Sequence, residues 1–137
     1  MTARRIPPLL RLLVALAPAL LLAACKTHWN LEDRETPVVV VLEAPAAARG
    51  EVSIPVLVYV GDQKAVDRLV RFPAGTTRIA TPTLYVRAGE TRVSVVLDGR
   101  AVASDTVKVR LPTWILVRLD GGAASISASD ADPSSAR

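Results

Sequence analysis

The chain contains one cysteine, Cys25, and one histidine, His28. A lone histidine in a polar stretch offers neither a base–nucleophile pair nor a histidine-rich metal site. A thiol with no second cysteine has no internal disulfide to join, so Cys25 requires another role. Serines and threonines are plentiful, but no Gly-x-Ser-x-Gly turn presents one as a nucleophile. Glu32, Asp33 and Glu35 form a carboxylate cluster. Paired acids cleave glycosidic bonds only when held at a set separation, and this stretch has the composition of a linker. Calcium has two candidate donor pairs, Asp62 with Asp67 and Asp130 with Asp132, but neither lies in a loop with a defined order of oxygen ligands. Gly121-Gly122 reads as a hairpin turn rather than a phosphate cradle. These residues argue against an enzyme and imply no cofactor and no metal.

The residues before Cys25 explain the thiol. Arg4, Arg5 and Arg11 make a positive start, Leu9 to Leu22 is dominated by Leu, Ala and Val, and the small residues Ala23 and Ala24 follow. This is the three-part pattern of an export signal. The apolar run is shorter than the roughly 20 residues a spanning helix needs, and Pro18 interrupts it. Leu22-Ala23-Ala24-Cys25 resembles the lipobox of bacterial lipoproteins. The resemblance implies a thioether-linked diacylglycerol on Cys25, cleavage between Ala24 and Cys25, and acylation of the new amine. Several acyl chains on one residue anchor stably, whereas one chain alone is marginal. In the Gram-negative lipoproteins that the motif resembles, an Asp after the cysteine favours inner-membrane retention. Lys26 therefore points to the periplasmic face of the outer membrane.

Composition bounds the remainder. The 137 residues allow one domain after removal of the signal. The net charge of +4 comes largely from Arg4, Arg5 and Arg11; without them acids and bases nearly balance. With aromatics at only 4%, there is neither a basic face nor a set of stacking platforms, which argues against nucleic acid as a partner.

Periodicity then divides the chain: signal 1–24, lipidated tether 25–36, β domain 37–128 and a disordered polar tail 129–137. In the tether, Trp29 is placed to dip into lipid headgroups or to pack on the domain base. Pro37–Glu43 suits a first strand, and residues 44–50 a Pro- and Gly-marked loop. Glu51–Val60 is the clearest strand, with Val52, Ile54, Val56, Val58 and Val60 on one face. Pro55 removes a ladder donor, so this strand is expected to be at an edge there, or bulged. Residues 65–72 form its hairpin partner, with an amphipathic helix over 63–71 as the competitor. Pro82 divides or bends the stretch 76–86. Asp98-Gly99 between two β-rich runs is a two-residue hairpin signal, because both positions accept positive φ. That pairing sets Val95 opposite Val102 and Arg92 opposite Asp105. Val107 and Val109 then fall out of phase, which predicts a bulge near residues 104–106. Residues 113–119 are apolar on both faces, as for a covered strand, and Ala123–Ala128 is a weak last strand.

Seven to nine short strands with frequent turn signals and no long helix predict an all-β sandwich or small barrel. The succession Val-Tyr-Val-Gly-Asp (58–62), Phe-Pro-Ala-Gly-Thr-Thr (72–77), and Ala-Gly-Glu-Thr-Arg-Val-Ser-Val-Val-Leu-Asp-Gly (88–99), with a valine-rich strand after it, resembles immunoglobulin-like modules of bacterial surfaces, of the CARDB and fibronectin type III kinds. The resemblance implies an immunoglobulin-like fold and, loosely, adhesion or scaffolding. A non-catalytic module that meets another envelope protein is the leading expectation. Ile54, Pro55, Asp98 and Gly99 are the candidate contact residues, and Trp114 is either core or a partner anchor. A small-ligand or carbohydrate-binding module, or an accessory subunit of an envelope enzyme or secretion complex, is the alternative.

Overall fold

The computed structural model describes residues 34–45 and 50–133. The expected signal, the lipobox with Cys25, His28, Trp29, Glu32, Asp33, and residues 46–49 and 134–137 lie outside the described residues. All the described residues belong to one unit, Glu32–Arg137.

That unit is built from nine strands: β1 (Glu35–Glu43), β2 (Val52–Val60), β3 (Gln63–Phe72), β4 (Arg78–Ala80), β5 (Leu84–Arg87), β6 (Gly89–Leu97), β7 (Arg100–Val109), β8 (Thr113–Asp120) and β9 (Ala123–Ser129). No described residue is helical, so the segment 63–71 takes the strand option. Two sheets form an all-β sandwich. One runs β4-β1-β8-β9, with β5 paired to the first half of β1, and the other runs β3-β2-β6-β7.

Alternation of β-branched residues places the core between the sheets. Val38, Val40 and Leu42 of β1 and Ile115, Val117 and Leu119 of β8 face inward from one sheet. Val56, Val58, Val60, Val93, Val95, Phe72 and Val109 face them from the other. β1 and β8 pair in parallel, with Val38 opposite Thr113 and Glu43 opposite Arg118. Both are interior strands, which accounts for their near-continuous apolar sequences.

Pro82 splits one edge strand in two. β4 pairs with the end of β1 and β5 with its start. Between them, Thr81 carries the ladder by its own side chain. Its N–H donates to the Val40 carbonyl at 2.8 Å, and its Oγ1 accepts from the Val40 N–H at 3.2 Å. At one flank, Gln63 Nε2 of β3 donates to the Tyr85 carbonyl of β5 at 2.8 Å, joining the two sheets.

Pro55 sits in an interior strand, since β2 has β3 on one side and β6 on the other. The β6 register reaches only as far as Val56 opposite Leu97. Pro55 therefore lies just beyond β6, with Leu69 of β3 as its one cross-strand neighbour, and its missing N–H leaves no gap in the β6 ladder.

The β6–β7 hairpin corrects one expectation. Asp98 (φ 48°) and Gly99 (φ 74°) close a two-residue turn with Leu97 opposite Arg100. The bulge falls at Val102, not near 104–106. Val96 faces Ala101 while Val95 faces Ala103, and Arg92 faces Thr106 rather than Asp105. One extra residue next to the turn resets the phase at once, so Val107 and Val109 reach the core along the whole remaining strand.

The chain after β9 is also placed. Arg78 Nη1 on β4 donates to the Pro133 carbonyl at 2.5 Å. β4 and β9 are opposite edges of their sheet, so residues 130–133 return across its outer face. Val41 is 3% exposed yet lies outside the core cluster, which fits an outward residue beneath that crossing.

Candidate functional site

The sandwich has two chemically different ends. Arg34 leads into β1 at one end, which also holds the β2–β3, β5–β6 and β7–β8 connections. The other end gathers the start of β2, the Asp98-Gly99 turn, the Gly121-Gly122 turn and the loops after β1 and β3.

Ile54, Pro55, Asp98 and Gly99 all lie at this second end. Antiparallel pairing of β2 with β6 brings Val56 beside Leu97, and the residues beyond them meet across the turn. An open cavity of about 500 Å³ lies there, with Val52, Ile54, Pro55, Leu97 and Leu119 on its walls and Asp98 and Asp120 among its polar groups. A shallower depression of about 200 Å³ is lined by Pro55, Leu57, Val96, Asp98 and Gly99. Pro55 and Asp98 are common to both. Ile54 is half-buried and packs against the core, so it supplies a wall rather than a protruding anchor. Leu69, opposite Pro55 on β3, is 52% exposed and extends the apolar surface over the outer face of the sheet. Asp98 and Asp120 are exposed.

Trp114 is not part of this group. It sits near the start of β8, beside Val39 of β1 and opposite Ser129 of β9. It is half-buried and points to the outer face, because its neighbours Thr113 and Ile115 point inward. Neither a core position nor membership of the groove end describes it. Val39 and Leu116, also half-buried, share its face.

A second cluster was not legible from sequence. Glu43 accepts from Arg118 Nε at Oε1 and from Arg78 Nε at Oε2, both at 2.6 Å. The three residues come from β1, β8 and β4, and the Glu43 side chain is only 15% exposed. The hydrogen bond from Arg118, and then that from Arg78, hold the Glu43 carboxyl below the usual glutamate range despite its partial burial. A cavity of about 450 Å³ adjoins this clamp and is also lined by Pro45, Thr77 and Asp120. Both carboxylate oxygens are engaged, so the cluster ties three strands together and offers no free base. The signal that could have found it is one acid and two arginines at strand ends, but only the β4-β1-β8 order makes them neighbours.

The candidate calcium donors do not assemble. Asp62 is exposed in the β2–β3 turn, and Asp67 pairs with Lys64 at 2.9 Å. No group of three or more His, Cys, Asp or Glu side chains is placed to hold a metal among the described residues. Glu35 faces Arg87 across β1 and β5. No buried side-chain nitrogen or oxygen lacks a hydrogen-bond partner among the described residues.

Compared with known proteins, the chain matches no family model and no curated protein.

Proposed function

We propose that this chain is a lipid-anchored, non-catalytic interaction module of a bacterial cell envelope. In this reading Cys25 carries the anchor, and an immunoglobulin-like sandwich presents its groove end to another envelope protein. The observation that carries it is the position of Ile54, Pro55, Asp98 and Gly99 at the end opposite to the one where Arg34 leads into β1. A domain tethered through its N-terminal side would hold those residues away from the bilayer. The apolar walls and exposed acids of the groove suit a partner segment that brings apolar side chains and a cation. The groove volume of about 500 Å³ also favours a second reading, a small apolar ligand held there.

The anchor is tested by Cys25→Ser in native cells. The variant is expected to accumulate as an unprocessed or soluble form, and unchanged membrane partitioning would sink the assignment. The interaction is tested by photo-crosslinking in intact cells, with the reactive residue at Arg100 or Asp120 on the groove end and at Asp62 on the other. A single protein trapped from Arg100 and Asp120 but not from Asp62 supports the reading. Absence of a trapped protein from all three favours the ligand reading.

A further inference from the structure

Three large apolar side chains stand exposed among the described residues: Leu69, Tyr85 and Leu111. Leu69 lies opposite Pro55 and belongs with the groove. Tyr85, 57% exposed, and Leu111, 59% exposed, belong to the other end, where Arg34 leads into β1. Tyr85 of β5 lies opposite Pro37 of β1, and Leu111 is in the β7–β8 connection. Hydrogen bonds hold the backbone of both. Gln63 Nε2 donates to the Tyr85 carbonyl at 2.8 Å, and Thr113 Oγ1 donates to the Leu111 carbonyl at 2.7 Å. Two apolar side chains are thus held out into solvent at one end of the sandwich.

Cations accompany them. Arg34, Arg87 and Arg110 are exposed at this end. Arg87 faces Glu35 across β1 and β5, and Lys108 faces Glu90 across β6 and β7, so those charges offset one another. Neither Arg34 nor Arg110 is ion-paired among the described residues, and together they exceed the exposed acid of the β2–β3 turn, Asp62. The groove end instead presents the acids Asp98 and Asp120. The Ala88 N–H donates to the Arg34 carbonyl at 3.0 Å, so the chain enters the fold beside the β5–β6 connection, close to Tyr85 and Arg87. Arg34 follows Cys25 by nine positions, a reach of about 30 Å at full extension. The nine-residue strand β1 is about as long, so an anchor at Cys25 keeps this end nearer the bilayer than the groove end.

We propose that this end of the sandwich docks on the anionic lipid surface beneath it, with Tyr85 and Leu111 in the headgroup layer and Arg34 and Arg110 against the phosphates. The proposal rests on the reading of Cys25 as a lipid anchor. A tyrosine suits that layer, because its ring is apolar and its hydroxyl stays wet. Leu111 gains from leaving water, and each exposed cation is drawn to a surface of opposite charge. So few residues bind weakly from free solution. The anchor makes the contact intramolecular and raises its effective concentration. Docking through this end converts a loose tether into a fixed orientation, with the groove end directed away from the bilayer.

The test uses the full chain purified from its native cells and reconstituted into vesicles of phosphatidylethanolamine and phosphatidylglycerol. The vesicles carry a trace of phospholipid with a diazirine near its glycerol backbone. Flotation reads the anchor, and mass spectrometry of the photo-adducts reads the docked face. The expected result is a chain that floats, with adducts on residues 84–87 and 110–112 and none on 98–100 or 120–122. Arg110→Ser combined with Leu111→Ser is expected to float equally and to cut the adducts on residues 84–87 about fivefold or more. Arg100→Ser, at the groove end, is expected to leave them unchanged. Thermal midpoints of the variants close to the parent show that the sandwich is intact. A chain that floats with no adducts on 84–87 and 110–112, or with equal adducts at both ends, overturns the docking while the anchor stands. Adducts that the double variant leaves unaltered overturn it as well. A chain that does not float overturns the anchor, and the docking with it.

Discussion

Val40 and Thr81 are joined by two hydrogen bonds, one from each backbone N–H, and the second ends on the Thr81 hydroxyl rather than on a carbonyl. The hydroxyl in turn donates to the Pro82 carbonyl at 3.1 Å. One side chain thus satisfies the interior strand where proline has broken the neighbouring one. Thr81→Val keeps the shape but leaves the buried Val40 N–H without an acceptor. We expect a loss of about 1–2 kcal/mol, read as a drop of several degrees in thermal midpoint. Thr81→Ser retains the hydroxyl and is expected to stay close to the parent.

Glu43 gives the fold a defined acid response. Its pKa is lowered from 4.5 by hydrogen bonds from Arg118 and Arg78. A depressed folded-state pKa means that the stabilisation is complete above the unfolded value and is lost as pH falls through the folded one. Glu43→Gln is therefore expected to cost about 1 kcal/mol near neutrality, discounted for the exposure of Arg118. The gap between parent and variant should close as pH drops below about 4.5, as followed by denaturant titration at a series of pH values. A gap that widens toward acid would contradict this assignment.

Gly99 tests the turn. A Cβ there would touch nothing within 4 Å, so the cost of Gly99→Ala is purely conformational at φ 74°. We expect about 1 kcal/mol. Asp98→Asn, which tolerates the same region, is expected to be near neutral. Equal destabilisation by both would mean that the acid, not the backbone, holds the turn.

Removal of residues 130–137 tests the segment that crosses the outer face. The truncation deletes the Pro133 carbonyl that Arg78 reaches. The expected loss is about 1 kcal/mol, or roughly 4–8 °C in midpoint for a domain of this size. An unchanged midpoint would show that the crossing adds no stability.

Phe72 is the only phenylalanine of the chain and is 2% exposed. Phe72→Ala is expected to cost about 3–5 kcal/mol, a large share of the total stability of a small domain. Urea unfolding should show a much lower midpoint, or a chain that no longer folds.

Local chemistry carried much of the architecture into the sequence. Alternating valines in β2 and β6, the Asp98-Gly99 turn and the break at Pro82 each act over a few residues, so strand positions and the sandwich class follow from them. The need for a bulge in β7 was also legible, because Val107 and Val109 are out of phase with a strict hairpin. Its place was not, since any residue between the turn and Val107 could absorb the slip. Tertiary packing chose Val102.

Pairing between distant strands is what the sequence could not express. The parallel contact of β1 with β8 joins residues about 75 positions apart, and it alone brings Glu43 to Arg118. The same non-local order turned Trp114 outward, because β8 is covered by strands at its edges and by the core on one face only. Ile54, Pro55, Asp98 and Gly99 were nameable from turn and strand chemistry, whereas the groove they share with Leu119 and Asp120 exists only once both sheets are stacked. Side-chain period and turn preference are properties of neighbouring residues. Strand order is set by which apolar faces can be buried together, and only the folded chain decides it.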